Sequence, residues 1–460
     1  MSVELVICTI ISKNYLPYAR VLADSFREHN RGDVYVLLVD KVDGCFDPAK
    51  ENFKLIELDA LRPLIPDFDK FCFQYTILEL NTAAKPYFLE YLFDKYGMKK
   101  LVYFDPDILI TGNLRELSSL LDTHSMVLTP HLTAPIEDSS KPSEIDIIKA
   151  GTYNLGFIAL SNKKNSRDHL KWWQKRLHSH CIVAIADGYF VDQKWMDLVP
   201  GFYDDVFILR EPGYNTAYWN YHCREVTTES GKILVNGKPS YFFHFSGFDP
   251  ENLEPISKHQ NRFTLKDIPA IRPLFVLYRD KVLAAGWSMT KGWPYFYDRF
   301  DNGVKIPSLA RRLILEMGEN AAKFGNPFNA GENSFYDWLN APIDDNQPVL
   351  TRYLYELCVR TGHLKAHFPD PRQADRKRYL VWVLMDGKND FKIDDAFTAG
   401  IKVGRYDVGP VPVGQSGNCF VAGLLRLGGL ALNPLARRSA TVQRWADKLN
   451  EAVVNLFKNP

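Results

Sequence analysis

Three segments at the start of the chain restrict the fold more than any later feature. ELVICTIIS, residues 4–12, is a continuous apolar, β-branched run, the pattern of a strand buried on both faces. LPYARVLADSFREHN, residues 16–30, carries apolar positions near helical spacing, and Asn30-Arg31-Gly32 stops it. DVYVLLVD, residues 33–40, is the next strand. Strand, helix, strand predicts a parallel sheet with crossover helices, an α/β fold of Rossmann-like type.

The same alternation continues. ELNTAAKPYFLEYLFDKYG predicts a helix ended by Gly97, and KLVYFDPDILI the strand after it. HSMVLTP and YNLGFIALS are further apolar runs, a Trp-containing helix covers RDHLKWWQKRLHS, and PSYFFHFSGFDP closes the unit. After about Pro255 the chain becomes mostly helical, as in IPSLARRLILEMGENAAKF and VLTRYLYELCVRTGHL, with loops such as GNPFNAGENS. The expected organisation is an α/β domain over 1–260, a helical extension over 261–345 and a mostly helical C-terminal region over 346–460.

Composition narrows the function classes. Acidic and basic residues nearly cancel, 55 against 56, which argues against nucleic acid or an anionic bilayer as a general partner. The seven cysteines (Cys8, Cys45, Cys72, Cys181, Cys223, Cys358, Cys419) are odd in number and never spaced C-x-x-C. That argues against a disulfide framework and a thiolate zinc site, and for a reducing, cytoplasmic setting. MSVELVICTIIS has no basic leader or small-residue cleavage site, so no secretory signal is expected. CFVAGLLRLGGLALNPLA, residues 419–436, is broken by Arg426, paired glycines and Pro434 and is too short to span a bilayer. Arg437 and Arg438 leave peripheral contact with the inner face of a membrane open.

The chemistry centres on Asp105-Pro106-Asp107. Two acids one residue apart at a strand end can turn to the same side and offer hard oxygen ligands to Mg²⁺ or Mn²⁺. Pro106 removes a donor that a sheet interior would need, which fits a strand terminus. A second triplet, Asp67-Phe68-Asp69, has no strand leading in and is read as loop. A strand-borne D-x-D serves two chemistries. In one, a divalent cation held by the acids grips a nucleotide diphosphate. In the other, the first Asp accepts a phosphoryl group, as in haloacid-dehalogenase-like phosphatases. Against the second, Leu109 stands where that family favours Thr or Val, and DGKND at 386–390 is only a vague match to its later acidic motif.

Five stretches, taken in order, resemble a known family. They are VICTIISKNYLPYARVLADSF, AAKPYFLEYLFDKYGMKKLVYFDPDIL, YNLGFIALSN, FVDQKWMDLVP and FFHFSGFDP. Together they make residues 1–260 similar to the GT-A glycosyltransferases of the glycogenin and lipopolysaccharide glucosyl/galactosyltransferase group, which retain anomeric configuration. The resemblance implies that Thr9, Ser12, Asn14 and Tyr15 line the base and ribose of a UDP-linked sugar, and that Lys85 reaches its phosphates. It implies that Asp105, Asp107 and His244 hold Mn²⁺ (or Mg²⁺), and that Asn154 and Gly156 lie beside the donor sugar. By the same resemblance Asp192 and Gln193 would meet the sugar hydroxyls near the reacting carbon, with Asp187 as the alternative carboxylate, and Gly247 belongs to the H-F-x-G ending. The acceptor would be a glycan, a lipid-linked glycan or a protein, in bacterial surface-polysaccharide or glycoconjugate synthesis. Two departures stand out. Pro106 replaces a small residue, and Phe248-Asp249-Pro250 replaces the family's Lys-Pro-Trp-like ending, with Lys258 the substitute that position offers. Trp195, Tyr218, Trp219 and His131 are candidate acceptor contacts. A catalytically inactive sugar-nucleotide-binding module is a further alternative.

Overall fold

A computed structural model describes residues 5–402. The core is a seven-stranded sheet. In chain order its first members are β1 (Ile7–Ile11), β2 (Val34–Leu38), β3 (Lys54–Glu57) and β4 (Lys100–Phe104). A short β5 (Ile108–Ile110) follows outside the sheet, then β6 (Met126–Pro130) and β7 (Tyr153–Ser161). Spatially the order is Val206–Ile208, β6, β7, β4, β1, β2, β3. Every pairing is parallel except the two made by β7. The expected α/β architecture is therefore present, with one antiparallel strand inside it.

Both faces of the sheet are covered, which is why the strands read as unbroken apolar runs. From β1, Cys8 and Ile10 join one core with Leu89, Leu92, Trp173 and Leu177; Ile7 and Ile11 join the other with Leu22, Phe26 and Leu117. These partners come from Lys85–Tyr96 and Lys164–His180 on one side, and from α1 (Leu16–His29) and Arg115–Thr123 on the other. Each large apolar side chain so buried contributes about 1.5–3 kcal/mol.

Before β4 the chain makes α2 (Phe68–Gln74), α3 (Ile77–Ala83) and α4 (Lys85–Tyr96). The loop expected at Asp67-Phe68-Asp69 is instead a helix start. Asp67 adopts φ 47°, Phe68 is buried, the Phe71 amide donates to the Asp67 carbonyl (2.8 Å), and Arg62 holds Asp69 at 3.1 Å. Gly97, at φ 61°, ends α4 as the sequence indicates.

The described chain forms two compact units: residues 5–343 with Thr351–Leu357 and Lys392–Ala399, and Asp344–Leu350 with Cys358–Phe391 and the residues from Gly400. In the first, the stretch after 260 is built of short helices tied to the α/β core. Arg20 donates to the Ala285 carbonyl (2.7 Å), the Phe296 amide to Asp40 (3.0 Å), and Arg311 to the carbonyls of Phe73, Tyr75 and Tyr297. In the second, Arg376 ion-pairs with Asp344 and donates to the Asn346 carbonyl at 3.0 Å. Among the described residues no helix is long and apolar enough to cross a membrane. The apolar run at 419–436 lies outside them.

Candidate metal centre and its cleft

The strand β4 ends at Phe104, and the chain turns at once. The Asp105 amide donates to the Gly156 carbonyl (2.7 Å), and the Ile108 amide back to the Asp105 carbonyl (3.2 Å). Asp105-Pro106-Asp107 is thus a tight corner at the carboxyl ends of the parallel strands, where open α/β sheets bind ligands. β5 then pairs antiparallel with Phe242–His244, setting His244 opposite Ile108, and the Phe245 amide donates to the Asp107 carbonyl (2.9 Å). This two-stranded ladder brings the distant imidazole to the acids.

One ligand atom from each of Asp105, Asp107 and His244 lies within 4.8 Å of the other two. His244 Nε2 stands 3.1 Å from Asp107 Oδ1 and 3.9 Å from Asp105 Oδ2. The carboxylate side chains are 20% and 33% exposed while the imidazole is buried, so the acids open to the cleft. Burial pulls the imidazole pKa down, but Asp107 and then Asp105 outweigh it, and the result is raised above the ordinary 6.5. Two hard oxygens and one imidazole nitrogen suit a divalent cation. Tyr103, which sequence reading passed over as a strand residue, donates its hydroxyl to Asp105 Oδ1 at 2.7 Å.

The three groups open into a cleft of about 440 Å³. Ser12, Asn14, Tyr15 and Gly247 line it, with Lys258 and His259 also on its wall. Ile77, Leu78, Asn81 and Thr82 of α3 also line it, a wall that carried no sequence signal. Gly247, at φ 73°, leaves room for the following loop. A Cβ there would stand 2.5 Å from His259 Cδ2 and from Ser257 Oγ, and the Lys258 amide donates to the Gly247 carbonyl (3.0 Å).

The other predicted residues lie deeper or elsewhere. Thr9 is fully buried within β1 and is not among the residues lining the cleft. Lys85 is the first residue of α4 and is engaged within the protein. Its Nζ donates to the Leu155 carbonyl (2.8 Å) and stands 2.6 Å from Asp192 Oδ2, both side chains being almost wholly buried. Burial raises the Asp192 pKa above its ordinary 3.8, and Lys85 opposes the rise. Gln193 is engaged at both ends of its amide: Oε1 accepts from the Leu155 amide (3.1 Å), and Nε2 donates to the Ala150 carbonyl (3.0 Å). Asn154 bonds to His244, Asn215 and His131. Gly156 makes room for the His244 ring, since a Cβ there would lie 2.3 Å from Cε1. Asp187 is exposed at the end of the short 3-10 turn Ile185–Asp187 and is not among the residues lining the cleft. Trp219 is buried edge-on against His131 and His244, and Trp195 packs on Trp172, so neither ring is a free stacking platform.

Fold and site together define an α/β protein with a candidate divalent-cation centre at the carboxyl ends of its parallel strands. No family model matches the chain. It is similar to two uncharacterized proteins of Bacillus subtilis (strain 168). With YfnF it shares 25% identity over 293 residues, 58% of this chain and 89% of the relative; with YfnD, 24% over 246 residues, 52% and 76%. Among solved structures it is similar to the galactosyltransferase LgtC in complex with donor and acceptor sugar analogues (16% identity, 61% of this chain and 96% of that one, TM-score 0.36). It is also similar to the glycosyltransferase GlyE of Streptococcus pneumoniae TIGR4 (16%, 65% and 66%, TM-score 0.37).

Proposed function

We propose that the protein is a metal-dependent glycosyltransferase that moves a sugar from a nucleotide-diphosphate donor, a UDP-sugar, to an acceptor hydroxyl. The observation that carries this reading is the meeting of Asp105, Asp107 and His244 on one wall of a cleft whose other walls hold Ser12, Asn14, Tyr15 and Lys258. When bound there, Mn²⁺ or Mg²⁺ would neutralise diphosphate charge and stabilise the leaving group. Tyr15, 41% exposed and stacked on Tyr18 at 4.9 Å, offers a ring face to a base. Ser12 and Asn14, hydrogen-bonded to each other (2.7 Å), present hydroxyl and amide groups beside it. Lys258 is the cleft cation placed to meet a phosphate, the part first expected of Lys85.

Lys85, Asp192 and Gln193 then act as supports rather than as direct contacts, because Lys85 and Asp192 pair with each other and Gln193 bonds backbone groups inside the protein. Retention, a bacterial surface glycan, lipid-linked glycan or protein acceptor, and a cytoplasmic setting belong to the same proposal. They rest on the sequence resemblance and the cysteine pattern.

A thermal-shift screen of nucleotide sugars with and without Mn²⁺ tests the reading. A donor that stabilises the protein only with metal supports it. Asp107→Ala should abolish that shift and lower transfer or donor hydrolysis more than about 100-fold, beyond the 10–100-fold typical of an outer-shell partner. Full activity in that variant would refute the site.

A further inference from the structure

Behind the metal centre runs a buried chain of hydrogen bonds whose direction is fixed at its far end. The carbonyl of Thr152 can only accept, so His131 Nδ1, 3.3 Å away, must donate to it. In a neutral imidazole that leaves His131 Nε2 as an acceptor, and the Asn154 Nδ2 amide faces it at 3.2 Å. Burial pushes the His131 pKa down to about 4, which keeps that ring neutral. A second anchor agrees. Gln193 Oε1 accepts from the Leu155 amide, so it too presents an acceptor to Asn154 Nδ2, at 3.4 Å.

With its amide nitrogen so held, Asn154 must turn its oxygen the other way. Oδ1 accepts from Asn215 Nδ2 (3.0 Å) and lies 3.2 Å from His244 Nδ1. His244 Nδ1 must therefore carry a proton, and Nε2 is the nitrogen directed at Asp107 and Asp105. Trp219 packs edge-on against both imidazoles, at 5.1 Å and 5.2 Å, and closes the chain from water.

We infer that His131 and Asn154 form a relay, anchored on the Thr152 carbonyl, that holds His244 in the tautomer whose Nε2 lone pair is free for a metal ion. The inference rests on the metal-site reading above and assigns His131 and Asn154 as positioning residues, not contacts to sugar or acceptor. Outer-shell partners of this kind orient a ligand and raise its basicity.

Two readouts test it, one of them blind to metal. In metal-free wild-type protein labelled with ¹⁵N in its histidine rings, the ring-nitrogen correlation of His131, assigned by its loss in His131→Gln, should show a neutral ring with the proton on Nδ1. A proton on Nε2 would overturn the relay. In a Mn²⁺ titration, His131→Leu, which removes the acceptor, should bind Mn²⁺ about 10–100-fold more weakly than wild type. His131→Gln, whose carbonyl oxygen can accept from Asn154, should recover most of that loss. Donor KM at saturating Mn²⁺ should stay near the wild-type value in both. Unchanged Mn²⁺ affinity in His131→Leu overturns the relay. A wild-type protein that shows the His131 proton on Nδ1 and binds no Mn²⁺ overturns the metal reading alone.

Discussion

Removing the Lys85 side chain as Lys85→Met should expose how heavily the fold depends on one buried ion pair. The Nζ to Asp192 Oδ2 separation is 2.6 Å, with side chains 1% and 3% exposed. At an effective dielectric of about 20 the attraction is about 6 kcal/mol, most of it offset by desolvation of the two charges. The pair as a whole is therefore worth little, while losing one member strands a buried charge and costs about 3–5 kcal/mol. At roughly 2 °C per kcal/mol for a unit of this size, Lys85→Met should lower the melting temperature by roughly 6–10 °C. Lys85→Met/Asp192→Asn removes the stranded charge and should regain about half of that. The pH dependence has a definite sign. Burial raises the folded-state pKa of Asp192 above its unfolded value of about 3.9, so its protonated form stabilises the fold below that pH, and this is lost as pH rises through the folded pKa. Without Lys85 the folded pKa climbs further. The deficit of the single variant should then widen from pH 4 to pH 7, while that of the double variant stays flat. Differential scanning calorimetry at several pH values reads both. A double variant as unstable as the single one, or a pH-independent deficit, would refute the argument.

Three further outcomes follow from the geometry. Gly156→Ala puts a Cβ 2.3 Å from His244 Cε1 and 2.9 Å from Asn154 Oδ1, so Mn²⁺ affinity measured by calorimetry should fall about 10–100-fold. Arg311→Met leaves the carbonyls of Phe73, Tyr75 and Tyr297 without their buried donor, and denaturant unfolding should show a loss of about 3–5 kcal/mol. Lys258→Ala should raise the KM for a nucleotide-diphosphate sugar about 10-fold with little change in melting temperature, because this lysine lines the cleft.

The local pattern of residue types carried much of this protein. The opening strand, helix and strand required an α/β sheet, and the unbroken apolar runs required that it be covered on both faces. Asp105-Pro106-Asp107 after Phe104 marked a strand end, because a proline there removes a ladder donor, and the chain does turn there. The tertiary structure decided which polar residues meet the cleft. Lys85 and Asp192 are far apart in sequence and each reads alone as a ligand contact; only packing of α4 against the sheet shows them neutralising each other. Gly156 and Gly247 read as places of close approach, and so they are, but to His244 and to the loop around His259. Side-chain periodicity tells which face a residue takes. What waits on that face depends on pairings such as Ile108 with His244, and these arise from chain segments that sequence order keeps apart.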